Sequence, residues 1–247
     1  MKNFSSKRYF RHFWSHDTFV HRSITKFINS ILFLFPFKLK YHIALLFKKN
    51  DYPYCLINQG DTVIQIGAPS DTLHSARSRA FTFALLTGNT GKTVIIEPDL
   101  SNINEYKKSF LKFPNLHPIL INKGSWSCPD TLYFYYDKSH PATNFTANTK
   151  DYDSDRLLNY ECCEIPVDSL DNILLDLDIE SVDLVSITTN GAESEILAGM
   201  VNTIKMGVKY ICLAWTSDGY IELLASYGYK FLSYDDRGYT FVLDDSK

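Results

Sequence analysis

The run Thr62-Val-Ile-Gln-Ile-Gly-Ala-Pro-Ser-Asp-Thr72, followed later by Thr93-Val-Ile-Ile-Glu-Pro98, constrains the fold of this chain more than any other feature. Each begins as an apolar strand. The first breaks at a glycine before a helical segment, and the second ends in an acid. Glycine lets the backbone turn sharply and approach a ligand closely, and the helix start that follows presents unpaired N–H groups. An acid at the tip of the next strand is placed to accept the two hydroxyls of a ribose. The pattern points to a nucleoside-containing ligand at the carboxyl edge of a parallel sheet. Dinucleotide binding would want G-x-G-x-x-G, and here Pro69 and Asp71 stand near Gly67 in place of further glycines, which disfavours nicotinamide chemistry.

The remaining chain alternates strand and helix from Asp61 onward. Apolar runs predict strands over 62–66, 93–97, 116–122, 131–136, 182–188 and 209–214. Helices are predicted over 72–87, 100–112, 169–175, 192–206 and 218–227. Alternation of this kind calls for a mostly parallel sheet with helices on both faces. Two final strands, over 229–234 and 239–243, flank Asp235-Asp-Arg-Gly238 and read as an antiparallel hairpin. Residues 137–165 read as a long surface loop beside the ligand edge and a candidate substrate lid.

A third segment carries a resemblance. Val182-Asp-Leu-Val-Ser-Ile-Thr-Thr-Asn-Gly-Ala-Glu-Ser-Glu-Ile-Leu-Ala-Gly199 is similar to a motif of the FkbM family of S-adenosylmethionine-dependent methyltransferases. Gly67-Ala68, Glu97-Pro98 and Val167-Asp-Ser-Leu-Asp171 fall in the family's order and spacing. The resemblance implies a Rossmann-like class I methyltransferase fold: a mostly parallel seven-stranded sheet ending in an antiparallel hairpin. Residues 1–50 read from their own pattern as a basic-aromatic helical N-terminal extension, and residues 51–247 as the methyltransferase domain. S-adenosylmethionine is the implied cofactor and needs no metal. The implied reaction is O-methylation of a hydroxyl on a small molecule, sugar, glycan or lipid-linked acceptor.

On that reading Gly67 and Ala68 hold the cofactor by close backbone, Glu97 accepts its ribose, and Asn122, at the end of the third strand, meets the adenine edge. Turn formation explains Asn122 equally well. Gln65 and Thr188 stand at cofactor-facing positions. An acid at 65 would pair with the cofactor's ammonium better than this neutral amide. Glu193 and His140 are the candidate catalytic bases, although an acid in a first helical turn also favours the helix dipole. Gln65, Asp71, Ser186, Thr188 and Asn190 all depart from the family's polar pattern. Those departures support an alternative, a catalytically silent domain that keeps the fold for binding or scaffolding.

Charge separates the front of the chain from its body. Residues 1–50 hold ten Lys or Arg and one acid, against fifteen bases and twenty-seven acids in the rest. Aromatics are interleaved with those N-terminal bases, which predicts adhesion of residues 1–35 to an anionic membrane surface. The acidic body excludes broad nucleic-acid binding. The apolar stretch over 28–37 is shorter than the ~20 residues a spanning helix needs and lacks a signal-cleavage site. Five cysteines, odd in number and without C-x-x-C spacing, fit reduced thiols. The expectation is a cytoplasmic protein, peripheral at the membrane.

Overall fold

A computed structural model describes residues 35–137, 144–147, 160–214 and 218–244. The strands are β1 (Thr62–Ile66), β2 (Lys92–Ile96), β3 (Ile119–Ile121), β4 (Gly124–Ser125), β5 (Asp130–Tyr136), β6 (Phe145–Ala147), β7 (Glu161–Asp168), β8 (Leu184–Ile187), β9 (Tyr210–Leu213), β10 (Tyr229–Tyr234) and β11 (Tyr239–Leu243). The helices are α1 (Phe37–Lys48), α2 (Asp71–His74), α3 (Arg79–Thr87), α4 (Leu100–Phe110), α5 (Leu170–Asp176), α6 (Glu193–Ala198), α7 (Val201–Lys205) and α8 (Asp218–Ser226).

Seven strands form the main sheet in the order β3-β2-β1-β8-β9-β11-β10. The first five are mutually parallel, while β11 runs antiparallel between β9 and β10. Strand sequence explains why this sheet is central. Thr93–Ile96, Val63–Ile66 and Leu184–Ile187 are buried on both faces, as parallel strands covered by helices must be. One face presents Ile64, Ile66, Val94, Ile96, Val185 and Ile187 to a core that includes α5, α6 and α7 residues. On the other face Ile95 meets residues of α1 to α4, while Val63 and Leu184 pack with Tyr54 and Phe83.

Helix α1 is docked, not free. Its Tyr41 is 1% exposed, the hydroxyl donates to the Leu73 carbonyl at 2.9 Å, and the ring lies 4.3 Å from that of Phe81. The opposite side is apolar as well: Leu46 and Phe47 are 65% and 77% exposed. Among the described residues no helix is long and apolar enough to cross a membrane.

Four sequence expectations are corrected. The helix predicted over 72–87 is two helices, because Ala76 takes a positive φ of 55° and Ser78 then caps α3 by accepting from Phe81 N. The helix predicted over 192–206 is broken at Gly199, where a Cβ would lie 2.0 Å from the Trp126 carbonyl oxygen. The strand over 131–136 does not join the main sheet. It pairs antiparallel with β7 in a second, four-stranded sheet of order β4-β7-β5-β6. Strand β7 was expected to lie mostly in a loop, since Glu161, Glu164 and Pro166 break any apolar pattern. Its partner is some thirty residues away, beyond the reach of local pattern.

Candidate functional site

The carboxyl ends of β1, β2 and β8 open into a cleft roofed by the second sheet. Its walls include Gly67, Pro69, Glu97, Pro98, Ser125, Phe134, Phe145, Thr188, Thr189 and Asn190. A second cavity, of about 190 Å³, lies behind the glycine turn and is lined by Thr72, Arg79, Tyr106, Ala214 and Arg237 among others. Gly67, Pro69, Thr188, Thr189 and Asn190 line both, so the two spaces share a wall.

The glycine turn is shaped by the protein itself. Gly67 has φ of 80°, and a Cβ there would lie 2.3 Å from the Thr188 carbonyl oxygen. Close approach of β8 backbone therefore already demands glycine. The turn is then fixed by side chains from α4 and the tip of β2. Glu97 accepts from Ala68 N at 2.6 Å, from Asp99 N at 3.1 Å and from Asn102 Nδ2 at 3.1 Å. Asn102 Oδ1 accepts from Ser70 N at 3.0 Å. Glu97 is only 5% exposed, and burial pushes its carboxyl above the ordinary value despite these donors. The acid stands at the cleft, as its position after β2 implied, but it is also the clasp that holds the loop.

Other expected residues are placed differently. Gln65 is buried, does not line the cleft, and spends its amide hydrogens inward. Nε2 lies 2.8 Å from the Gly67 carbonyl, 2.8 Å from Thr188 Oγ1 and 3.0 Å from the Ile66 carbonyl. Thr188 Oγ1 donates in turn to the Gly67 carbonyl at 2.8 Å. These two side chains brace β1 against β8 beneath the turn. Thr188 still faces both cavities. Asn122 lies outside the cleft wall, its Nδ2 donating to the Pro98 carbonyl at 2.8 Å and the Glu97 carbonyl at 3.2 Å. Glu193 is 1% exposed, accepts from Thr189 Oγ1 at 3.1 Å, and lines neither cavity. His140 falls outside the described residues. Ala68 lines only the second cavity, its N–H taken by Glu97.

Several site residues carried no signal in the sequence. Ser125, from the short β4, is buried at the cleft wall, and among the described residues its Oγ has no partner. Phe134 and Phe145 reach the cleft from the second sheet, and Asn190 Nδ2 donates to the Asn144 carbonyl at 2.8 Å to join that sheet to the end of β8. Asn144, Phe145 and Thr146, inside the stretch read as a loop over 137–165, line the cleft, and Phe145–Ala147 is a strand there. A lone arginine heading an apolar helix was the available hint for Arg79. Its guanidinium is 4% exposed and pairs with Asp235 at 2.7 Å and with Asp236, while Nη1 donates to Ser186 Oγ at 3.1 Å. Burial alone would lower its pKa, but the two aspartates more than reverse this and keep it cationic. Among the described residues no cluster of His, Cys, Asp and Glu is arranged to hold a metal ion.

A parallel sheet of this strand order, closed by an antiparallel last pair and carrying a glycine turn after its first strand, defines the Rossmann-like class I methyltransferase fold. Among solved structures, the chain is similar to methyltransferase FkbM from Methylobacillus flagellatus KT, with a TM-score of 0.50 and 13% identity over 78% of this chain and 47% of that one. It therefore spans about half the length of that protein. A methyltransferase from Geobacter sulfurreducens matches with TM-score 0.42 and 12% identity over 96% of this chain and 95% of its own. Aeropyrum pernix fibrillarin, solved with natively bound S-adenosyl-L-methionine, matches at 0.43 and 15%, over 81% and 72%. No protein-family model matches the sequence, and no curated protein matches it. The likeness is one of fold.

Proposed function

We propose that the protein is an S-adenosylmethionine-dependent methyltransferase acting on a hydroxyl oxygen of a small molecule, sugar, glycan or lipid-linked acceptor. The observation that carries this reading is the cleft itself. It sits where the fold presents loop backbone and a β2 acid together, and it adds a buried hydroxyl, Ser125 Oγ, with no partner among the described residues. A buried polar group left unpaired calls for a ligand or a water. The residues suit the cofactor's nucleoside half. Glu97 has carboxylate lone pairs beyond the three N–H groups it accepts, Ser125 offers a donor and an acceptor, and Phe134 and Phe145 supply apolar walls.

When bound, the cofactor supplies a methyl already activated on a sulfonium. The chain's own task is positioning and exclusion of water. The wall from Thr188 to Asn190 stands between the two cavities, where an acceptor oxygen in one would face a cofactor in the other. Glu193 is buried under Thr189, so its proposed role as a base requires Thr189 to move aside.

Calorimetric titration of S-adenosylmethionine into the full chain tests the reading. A micromolar Kd, about −8 kcal/mol, is expected. No heat and no shift of the melting temperature at millimolar cofactor would sink it and favour the silent module instead. Adhesion of residues 1–35 to an anionic bilayer belongs to the same proposal; of these, only Phe35 lies among the described residues, and the exposed Leu46 and Phe47 on α1 beside Lys49 would extend such a surface.

A further inference from the structure

The second cavity has a chemistry of its own. Arg79 lines it, is almost wholly buried, and keeps one N–H, Nε, with no partner among the described residues. Arg237, exposed on the β10–β11 turn, lines it from the other side. Lys48 and Arg77 belong to the same neighbourhood. Burial lowers the Lys48 ammonium to about 8; Asp236 opposes that shift, and Arg237, Arg79 and Arg77 add to it. Asp235 and Asp236 both pair with Arg79, and among the described residues no salt bridge engages the Arg237 guanidinium. At about 190 Å³ the space holds several waters' share of ~30 Å³ each, enough for one compact polar group. Neither a histidine nor a carboxylate lines it.

We propose that this cavity is the acceptor site and that the acceptor bears an oxyanion group, phosphate or carboxylate, which Arg79 and Arg237 hold while its hydroxyl meets the wall shared with the cofactor cleft. Planar guanidinium groups match oxyanions in geometry as well as charge. Arg79 is fixed by Asp235, Asp236 and Ser186, so the guanidinium on the cavity wall is positioned in advance, and Arg237 closes from the exposed turn. The inference rests on the methyltransferase reading, and it narrows the acceptor to an anionic class.

Inorganic phosphate and, in parallel, acetate are titrated calorimetrically into the full chain, with and without saturating S-adenosylmethionine. One anion is expected to bind regardless of cofactor, and the tighter of the two identifies the group. Arg237→Gln is expected to weaken that anion at least tenfold while leaving cofactor affinity unchanged, and Arg237→Lys to recover most of the loss. Arg237 is exposed, so neither variant threatens the fold. Anion binding indifferent to Arg237→Gln, or no binding by either anion, would overturn the proposal with the cofactor reading intact. Competition between the anion and S-adenosylmethionine would overturn it in another way, by assigning the cavity to the cofactor's own carboxylate. Arg237-dependent anion binding without any cofactor binding would sink the methyltransferase reading, and with it the acceptor role.

Discussion

Gln65 and Glu97 both have more to do inside the protein than at its surface. Gln65 shares its two amide hydrogens among two carbonyls and a hydroxyl. A carboxylate there would face the same acceptors with no hydrogens to give. Gln65→Asp is therefore expected to lose about 3 kcal/mol of stability, not to tighten cofactor binding as the sequence comparison implied. A denaturant midpoint equal to that of the unaltered chain would show the brace to be dispensable. Glu97→Ala removes the shared acceptor of Ala68 N, Asp99 N and Asn102. It is expected to cost about 3 kcal/mol as well, measured by urea unfolding. Glu97 is thus a buried clasp of the loop as well as the acid that its place after β2 brings to the cleft. Any loss of cofactor affinity in that variant has to be read against its loss of stability.

At the level of elements, α1 has two apolar sides with different fates. Tyr41 and Phe37 lock one against α3, while Leu46 and Phe47 stay outward. Replacing both Leu46 and Phe47 by Asp is expected to leave the melting temperature nearly unchanged and to weaken co-sedimentation with anionic vesicles, residues 1–35 retaining the rest. Full retention on those vesicles would remove α1 from the membrane reading. Lys48 closes the same helix, with Nζ 5.2 Å from the centre of the Tyr54 ring and 3.4 Å from the Ala76 carbonyl. Its folded pKa lies near 8 against an ordinary 10.5, chiefly because it is buried. A cation with a lowered pKa binds its proton less tightly in the folded state, so its charge opposes folding fully below pH 8. That cost fades as pH rises from 8 to 10.5. Lys48→Met is expected to be the more stable protein at pH 7, by ~1 kcal/mol after allowing for solvent screening and the lost contacts. The gap should narrow through pH 8 to 10.5 in paired melting curves, and a gap independent of pH would contradict the assignment.

Across the whole molecule, the network of Arg79, Asp235, Asp236, Tyr54 and Ser186 ties four separate pieces together. Arg79 comes from α3, Ser186 from β8, the aspartates from the hairpin turn and Tyr54 from the connection before β1; Tyr54 donates to Asp236 at 2.6 Å. Burial raises the Asp236 carboxyl, and the Arg79 charge and the Tyr54 hydroxyl outweigh it, so the net shift is downward. Arg79→Met leaves two carboxylates without their cation and is expected to cost about 3–5 kcal/mol. The loss should diminish at low pH, as Asp236 takes up a proton. Amide exchange should accelerate most in β10 and β11, which lose their tie to α3. Uniform acceleration across the sheet would mean that the network stabilises the fold without anchoring the hairpin.

Local pattern in the sequence determined the main sheet. Val63–Ile66, Val94–Ile96 and Leu184–Ile187 are short, largely apolar, β-branched runs bounded by turn residues, the pattern of strands buried on both faces. Gly67 and Glu97 were legible for the same reason, since each follows its strand directly. The second sheet was not legible: β7 is polar, contains a proline, and becomes a strand only through pairing with β5. Nor was the arginine network, in which Arg79 lies more than a hundred residues from Ser186 and the two aspartates. The roles of Gln65, Asn122 and Glu193 also waited on the tertiary structure. A polar side chain's identity states what it can donate or accept, and only its burial and neighbours decide whether a ligand or the protein's own backbone receives it.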